Sequence, residues 1–254
     1  MDVCVAELHP MPEAGFLPGS AGASRLDAAG DLAGRYEAAI RALRNGERSA
    51  PDNTRLLRAG EHTHRVLTLL TGWAFRCCTF DDGRRQIMGI LLPGDTFGIE
   101  TLFDEHLDSM VWSATPVSYA IIDAEAIMRL FDREAWFRRD LMLALAREKT
   151  ASEQWMAQLG RCDAEERTAL LLLLLHQRLL ARDLATATGF RLELNQQELA
   201  DMLGLHLIHL NRILSRLRAR GFIATKGQDV TFTDRESMAQ MIRMPVSGNQ
   251  QRML

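Results

Sequence analysis

Asn195-Gln196-Gln197-Glu198-Leu199-Ala200-Asp201-Met202-Leu203-Gly204-Leu205-His206-Leu207-Ile208-His209-Leu210-Asn211-Arg212-Ile213-Leu214-Ser215-Arg216-Leu217-Arg218-Ala219-Arg220-Gly221 reads as two short helices about a tight turn. Asn195 is an N-cap residue, and Glu198, three positions on, completes a capping box. Leu199, Met202 and Leu203 share one apolar face. Gly204 supplies the left-handed residue that ends the first helix, and Gly221 stops the second. Two helices at this spacing form a helix-turn-helix, whose second helix enters the DNA major groove.

On the wheel of the second helix, Leu207, Leu210, Ile213, Leu214 and Leu217 lie together and are expected to pack on the first helix. His206 falls on that side and reads as a turn or packing residue. Ile208, Arg212, Ser215 and Ala219 point the other way, flanked by His209, Asn211 and Arg216. No Asp or Glu occurs from Met202 to Gln228, while Arg212, Arg216, Arg218, Arg220 and Lys226 are cationic. The whole chain has a net charge of −3, so this excess is a local patch. A solvated helix face ordinarily mixes both signs, and the patch points to nucleic acid. Ile208 and Arg212 are placed to reach bases, and His209 and Asn211 border them, in reach of a base or a phosphate. Arg218, Arg220 and Lys226 are placed to meet phosphates, and Arg216 borders the face.

At 254 residues, more than one domain is expected. The N-terminus lacks a charged leader and a long apolar segment, so no secretory signal is expected. The run Leu170 to Leu175 is too short to span a bilayer and reads as a helix buried on several sides. Cys4, Cys77, Cys78 and Cys162 show no C-x-x-C spacing, which suits a reduced, cytoplasmic protein.

Residues 1–30 are rich in Pro and Gly and read as a flexible tail. Asp31 to Arg44 has helical periodicity that Asn45-Gly46 ends. Short apolar runs then follow at Val66–Leu70, Trp73–Phe80, Gln86–Leu92, Met110–Ala114 and Val117–Ile122, separated by turn signals. Such spacing predicts a barrel or double-sheet roll, with a hairpin at Asp82-Gly83. Trp136 to Leu159 predicts a long helix, its apolar stripe running through Phe137, Leu141, Ala144, Ala151, Trp155 and Leu159. Such a stripe can cover a core or pair with its copy, and a dimer is expected through this helix. Asp163-Ala164-Glu165-Glu166 opens the leucine-rich helix with a second capping box. Phe222–Ala224 and Val230–Phe232 form a hairpin wing, and Asp234 to Arg243 a closing helix.

This order resembles the Crp/Fnr family of bacterial transcription regulators, over roughly Leu56 to Arg243. The motifs that carry the resemblance are Gln197-Glu198-Leu199-Ala200, Leu203-Gly204, Asn211-Arg212-Ile213-Leu214, Gly221-Phe222-Ile223, and Leu92-Pro93-Gly94-Asp95 with Phe97-Gly98. It implies an α+β chain with four parts. These are the tail at 1–30, a cyclic-nucleotide-binding-like β-roll at 31–135, a dimerisation helix at 136–160 and a winged helix-turn-helix domain at 161–254. The partners it implies are a second copy of the chain, double-stranded DNA with a palindromic site, RNA polymerase and a small-molecule effector. No membrane is implied.

The chain departs from the family twice. Many members begin the recognition helix with Ser-Arg-Glu, where this chain has His206, Leu207 and Ile208, leaving Arg212 in register with a base-reading arginine. In the effector pocket, cyclic-nucleotide members place a Glu after a Gly and then an Arg-Ser pair. Here Ile99 separates Gly98 from Glu100, and Asp108-Ser109 stands where Arg-Ser is expected. Asp108 would repel a cyclic phosphate, and losing the charge-assisted contact costs about 1.5–3 kcal/mol. Control by cyclic nucleotide is therefore not expected.

A rival reading is a cupin-like metal-binding enzyme, since His62-Thr63-His64 has the spacing of a ligand pair. It lacks a third ligand nearby, so neither a metal nor a catalytic residue is expected. With Cys4 the one cysteine near the N-terminus, an iron–sulfur cluster is not expected, and no cofactor is assigned. A haem-binding or redox-sensing variant of the regulator remains an alternative. Cys162 is the candidate redox residue, because it sits at the joint before the DNA-binding half.

Overall fold

Glycine and proline turns cut the front half into strands too short to bury a face alone, so they pair into two sheets that close on each other. The computed structural model describes residues 30–58, 65–103 and 109–242. The expected tail, the pair His62 and His64, and Asp108 lie outside these residues. One four-stranded antiparallel sheet has the order β1 (Arg44–Ala50), β8 (Val117–Asp123), β3 (Arg65–Thr71), β6 (Thr96–Phe97). The other has the order β2 (Arg55–Leu57), β7 (Met110–Ser113), β4 (Ala74–Thr79), β5 (Arg85–Leu91). Between them Leu67, Leu69, Leu91, Phe97, Val111 and Val117 fill the interior of the roll.

The apolar runs fall within one or two residues of the strands they predicted. Gly83 takes φ 82° in the β4–β5 hairpin, where Phe80 N–H donates to Arg84 O at 2.8 Å. β1 is different. Its Arg-Asn-Gly-Glu-Arg-Ser-Ala has no apolar alternation and is largely exposed, so only its ladder to β8 makes it a strand. Asn45-Gly46 does not end a helix there. α1 (Gly30–Ala42) stops earlier, and Gly46, with φ 79°, lies at a bulge in β1.

α2 (Ala124–Arg133) is capped by Asp123, whose side chain accepts from Glu125 N–H. α3 (Ala135–Arg161) runs for 27 residues. Of the two uses open to its apolar stripe, the structure shows the covering one, because the stripe turns inward. Phe137 and Leu141 pack with Tyr36 and Ile40 of α1 and with Val66 and Ile122 of the roll. Ala151 and Trp155 are buried as well. A roll with one open side has more apolar surface than its strands can cover, and α3 covers it.

α4 (Ala164–Leu180) begins with the capping box of Asp163 and Glu166. Leu170 to Leu175 are all buried. They lie in one cluster with Trp73, Phe75, Ile87 and Ile90 of the roll on one side, and with the helix-turn-helix and wing on the other. Each buried leucine contributes about 1.5–3 kcal/mol of transfer free energy. The wing sheet has the order β10 (Ile223–Lys226), β11 (Asp229–Phe232), β9 (Gly189–Arg191). β9 is a third strand that three residues of sequence do not announce. α7 (Arg235–Gln240) closes the described chain. No described helix is long and apolar enough to cross a membrane.

His176 anchors the wing to α4. Its ring lies 4.9 Å from that of Phe232 and 5.9 Å from that of Phe190, and Nε2 donates to Thr186 O at 2.9 Å. Nδ1 is buried without a partner. Burial holds the imidazole pKa below its ordinary value, with Arg235 adding to the shift against the Thr186 hydrogen bond. The unfolded chain therefore takes up this proton first as pH falls, and the stability His176 confers is lost below the ordinary histidine pKa. The melting temperature is expected to drop between about pH 7.5 and pH 5.5, and to drop less in His176→Gln, as measured by differential scanning calorimetry.

Candidate nucleic-acid interface

α5 (Gln196–Leu203) starts where the sequence placed it. Asn195 Oδ1 accepts from Glu198 N–H at 2.9 Å, and Glu198 Oε2 accepts from Asn195 N–H at 2.8 Å. Leu199, Ala200, Met202 and Leu203 are buried. Gly204 takes φ 64°, ψ 39°, so the chain turns at once into α6 (Leu207–Ala219).

Leu210, Ile213 and Leu217 of α6 are buried in the shared core. Two expectations need correction. Leu207 is 36 % exposed and His206 is exposed, where both were placed on the packed side. His206 is the N-cap and Leu207 the first helical residue, so they lie before the turn at which α6 meets the core. His206 lines a cavity with the β4–β5 hairpin and α5, away from the reading face.

That face presents Ile208, Asn211, Arg212, Ser215 and Arg216, which line one shallow open groove. Ile208 is 69 % exposed. His209 is exposed beside them. Arg218 Nη1 donates to Thr225 Oγ1 of β10, and its Nη2 donates to Ser215 Oγ, both at 3.0 Å. These bonds fix the guanidinium between recognition helix and wing. Lys226 is exposed at the wing turn, where Gly227 has φ 61°.

Arg220 is engaged elsewhere. Its Nη1 lies 2.9 Å from Glu165 Oε1, and its guanidinium sits 4.5 Å over the Phe222 ring. Arg216 Nη1 reaches the other oxygen of Glu165 at 3.4 Å. Glu165 belongs to the first turn of α4, so the acid-free window in the sequence gave no sign of it. The patch is thus graded, with Arg212 and Lys226 facing outward and Arg216 and Arg220 turned toward a carboxylate.

The candidate effector residues of the roll are brought together in part. Gly98, with φ 81°, opens a 3₁₀ turn over Ile99–Leu102, and a Cβ there would meet Arg65 O at 2.9 Å. Glu100 on that turn lies 4.0 Å from Arg76 Nη2, and Arg76 Nη1 also pairs with Glu148 of α3 at 3.0 Å. Ser109 precedes β7. The sequence reading missed Arg76 and Glu148, whose pairing spans strand and helix and has no local motif. Cys162 is the buried C-cap of α3, with Sγ hydrogen-bonded to Gln158 Oε1. Cys77 is buried, which pushes its thiol pKa up to about 11, and Cys78 is half-buried. Among the described residues no group of three or more His, Cys, Asp or Glu side chains could hold a metal ion.

Comparison with known proteins bears on both halves. Residues 166–241 match the Crp-like helix-turn-helix domain, and residues 47–134 the cyclic nucleotide-binding domain. The chain is 31% identical over 173 residues to the transcriptional activator protein FnrL of Cereibacter sphaeroides, covering 67% of this chain and 69% of that one. It is 28% identical over 179 residues to the transcriptional activator protein anr of Pseudomonas aeruginosa, covering 70% and 73%. The solved structure of FixK2 from Bradyrhizobium japonicum superposes with a TM-score of 0.73 at 26% identity, covering 79% of this chain and 98% of that one. These similarities displace the cupin-like enzyme reading. With a roll, a covering helix and a winged helix-turn-helix in this order, the chain belongs to the Crp/Fnr family of transcription regulators.

Proposed function

We propose that this protein is a transcriptional activator that binds a palindromic DNA site as a homodimer, without control by cyclic nucleotide. The observation that carries the reading is the outward face of α6, which is free of acidic residues and flanked by the exposed Lys226 at the wing turn. Arg212 reads a guanine through O6 and N7, and Ile208 meets a thymine methyl. His209 and Asn211 add base or phosphate contacts. Arg218 and Lys226 meet phosphates. Arg220, tied to Glu165, contributes less than its charge suggests, and Arg216 lies between these roles. The activating sense follows the names of the FnrL and anr relatives. Contact with RNA polymerase follows from family membership, and the cytoplasm is the compartment that holds both partners.

A second copy docks on the outward side of α3. Met142, Ala146, Lys149, Glu153, Met156 and Gly160 are all exposed and recur at alternating spacings of four and three residues. That is the repeat of a two-stranded coiled coil. Met142 is 57 % exposed and Met156 60 %, large values for apolar side chains on a helix that already buries its other face. Pairing this seam brings two recognition helices to one side of DNA, about 34 Å apart.

In the roll, the ion pair with Arg76 already engages Glu100, and Asp108 replaces the expected arginine. The pocket therefore offers a cyclic phosphate no cation at that position.

Three outcomes are expected. In duplex titrations, Arg212→Ala relaxes preference at one symmetric base pair by about 1–3 kcal/mol and weakens random DNA much less. Arg218→Ala and Lys226→Ala weaken both alike and lower the salt slope by about one per half-site, while Arg220→Ala does so by less. Light scattering of Met142→Glu combined with Met156→Glu shows a monomer with the fold retained and palindrome binding lost. A dimer mass in that variant would exclude the α3 seam. Calorimetry with cyclic AMP or cyclic GMP gives no binding heat at micromolar ligand.

A further inference from the structure

The joint between α3 and α4 is two extended residues, Cys162 with φ −79°, ψ 146° and Asp163 with φ −69°, ψ 169°. Such a link attaches the DNA-binding half without setting its angle. The apolar core beneath it is non-directional and tolerates sliding. Direction comes from two polar contacts at opposite ends of β5.

The first contact is wholly buried. Asp95, with no exposed surface, accepts from Arg178 Nη2 at 2.6 Å, from Arg182 Nη2 at 2.7 Å and from Leu92 N–H at 2.8 Å. Arg178 Nη1 also donates to Ile90 O at 2.9 Å, and Arg182 Nε to Pro93 O at 3.1 Å. All these acceptors belong to the end of β5 and the turn after it, while Arg178 lies in the last turn of α4 and Arg182 in the turn just past its end. The second contact joins the start of β5 to α5. Arg85 reaches Asp201 at 2.8 Å through Nη2 and 2.9 Å through Nε, and Gln86 Nε2 donates to Met202 O at 3.3 Å. One such point permits rotation about itself. Two points on one strand do not, and planar guanidinium forks restrict angle as well as distance.

We propose that Asp95, Arg178 and Arg182, together with Arg85 and Asp201, are positioning residues that set the half-site spacing this regulator accepts. They act through α5 and α6 and are separate from the DNA-reading face. α3 joins the two copies, the roll is packed on α3, and these contacts fix α6 to the roll, so the distance between recognition helices is carried through them. The inference rests on the homodimer and palindrome of the proposed function.

The test uses the full chain and its palindrome recovered from a random pool, with the half-sites at native spacing or moved apart by one or two base pairs. Anisotropy titrations also include a duplex with a single half-site. In the unaltered protein, a shift of two base pairs is expected to cost on the order of a hundredfold in affinity, because simultaneous engagement is lost. Arg85→Gln with Asp201→Asn removes the half-exposed contact. Asp95→Asn with Arg178→Met and Arg182→Gln replaces the buried set by neutral residues of similar size, a change that avoids stranding one buried charge. In each, the spacing penalty is expected to shrink about tenfold with single half-site affinity unchanged, since the reading face is untouched. Arg85→Lys, which keeps the charge, is expected to keep most of the penalty. Circular dichroism verifies the fold, and the Arg85 and Asp201 variant decides alone if the buried set fails to fold. An undiminished penalty in a folded variant overturns the proposal. An unaltered protein that binds the palindrome no better than a single half-site overturns the dimer reading instead.

Discussion

Asp95 has no surface exposed to water, and it holds two arginines that arrive from the end of α4 and the turn after it, eighty-odd residues later in the chain. Removing three charges from water costs several kcal/mol per ion before pairing returns any of it. The cost is offset only when all the partners are in place. Burial pulls the Arg178 pKa down to about 10, while Asp95 pulls it back up, so the guanidinium stays charged at neutral pH. Such a set adds little net stability over an apolar substitute. Its value is that it tolerates one geometry, and the leucines of α4 supply the stability around it.

From that fixed joint the reading face follows. α4 presents one side to the roll and the other to α5, α6 and the wing, so the DNA-binding half has no core separate from the roll. α6 can then leave a whole side uncovered. Its cations are pre-ordered to different degrees: hydroxyls hold Arg218, a carboxylate shares Arg216 and Arg220, and Arg212 is exposed on the outward face. Holding a long side chain before DNA arrives lowers the entropy lost on binding.

α3 shows how one helix serves two contacts. Its inner stripe packs within the protomer, and its outer seam is the surface proposed for a second copy. Lys149 and Glu153 sit in the middle of that seam, paired with each other. A polar layer there weakens association relative to an apolar one and fixes register.

The helix-turn-helix was legible in the sequence because every determinant is local: a cap, a capping glutamate, a left-handed glycine and a leucine spacing lie within one short window. The roll strands were legible for the same reason, through apolar runs and their turns. Tertiary structure alone decided the rest. β1 has no pattern of its own and exists by pairing with β8. The stripe of α3 was visible as apolar, but periodicity does not say whether a face meets its own chain or another, and here the open side of the roll claimed it. Glu165 reaches Arg220 across 55 residues, Arg76 reaches Glu148 across 72, and Arg178 reaches Asp95 across 83. Charge pairs carry no periodicity, so they become visible only once the packing of apolar faces has brought distant segments together.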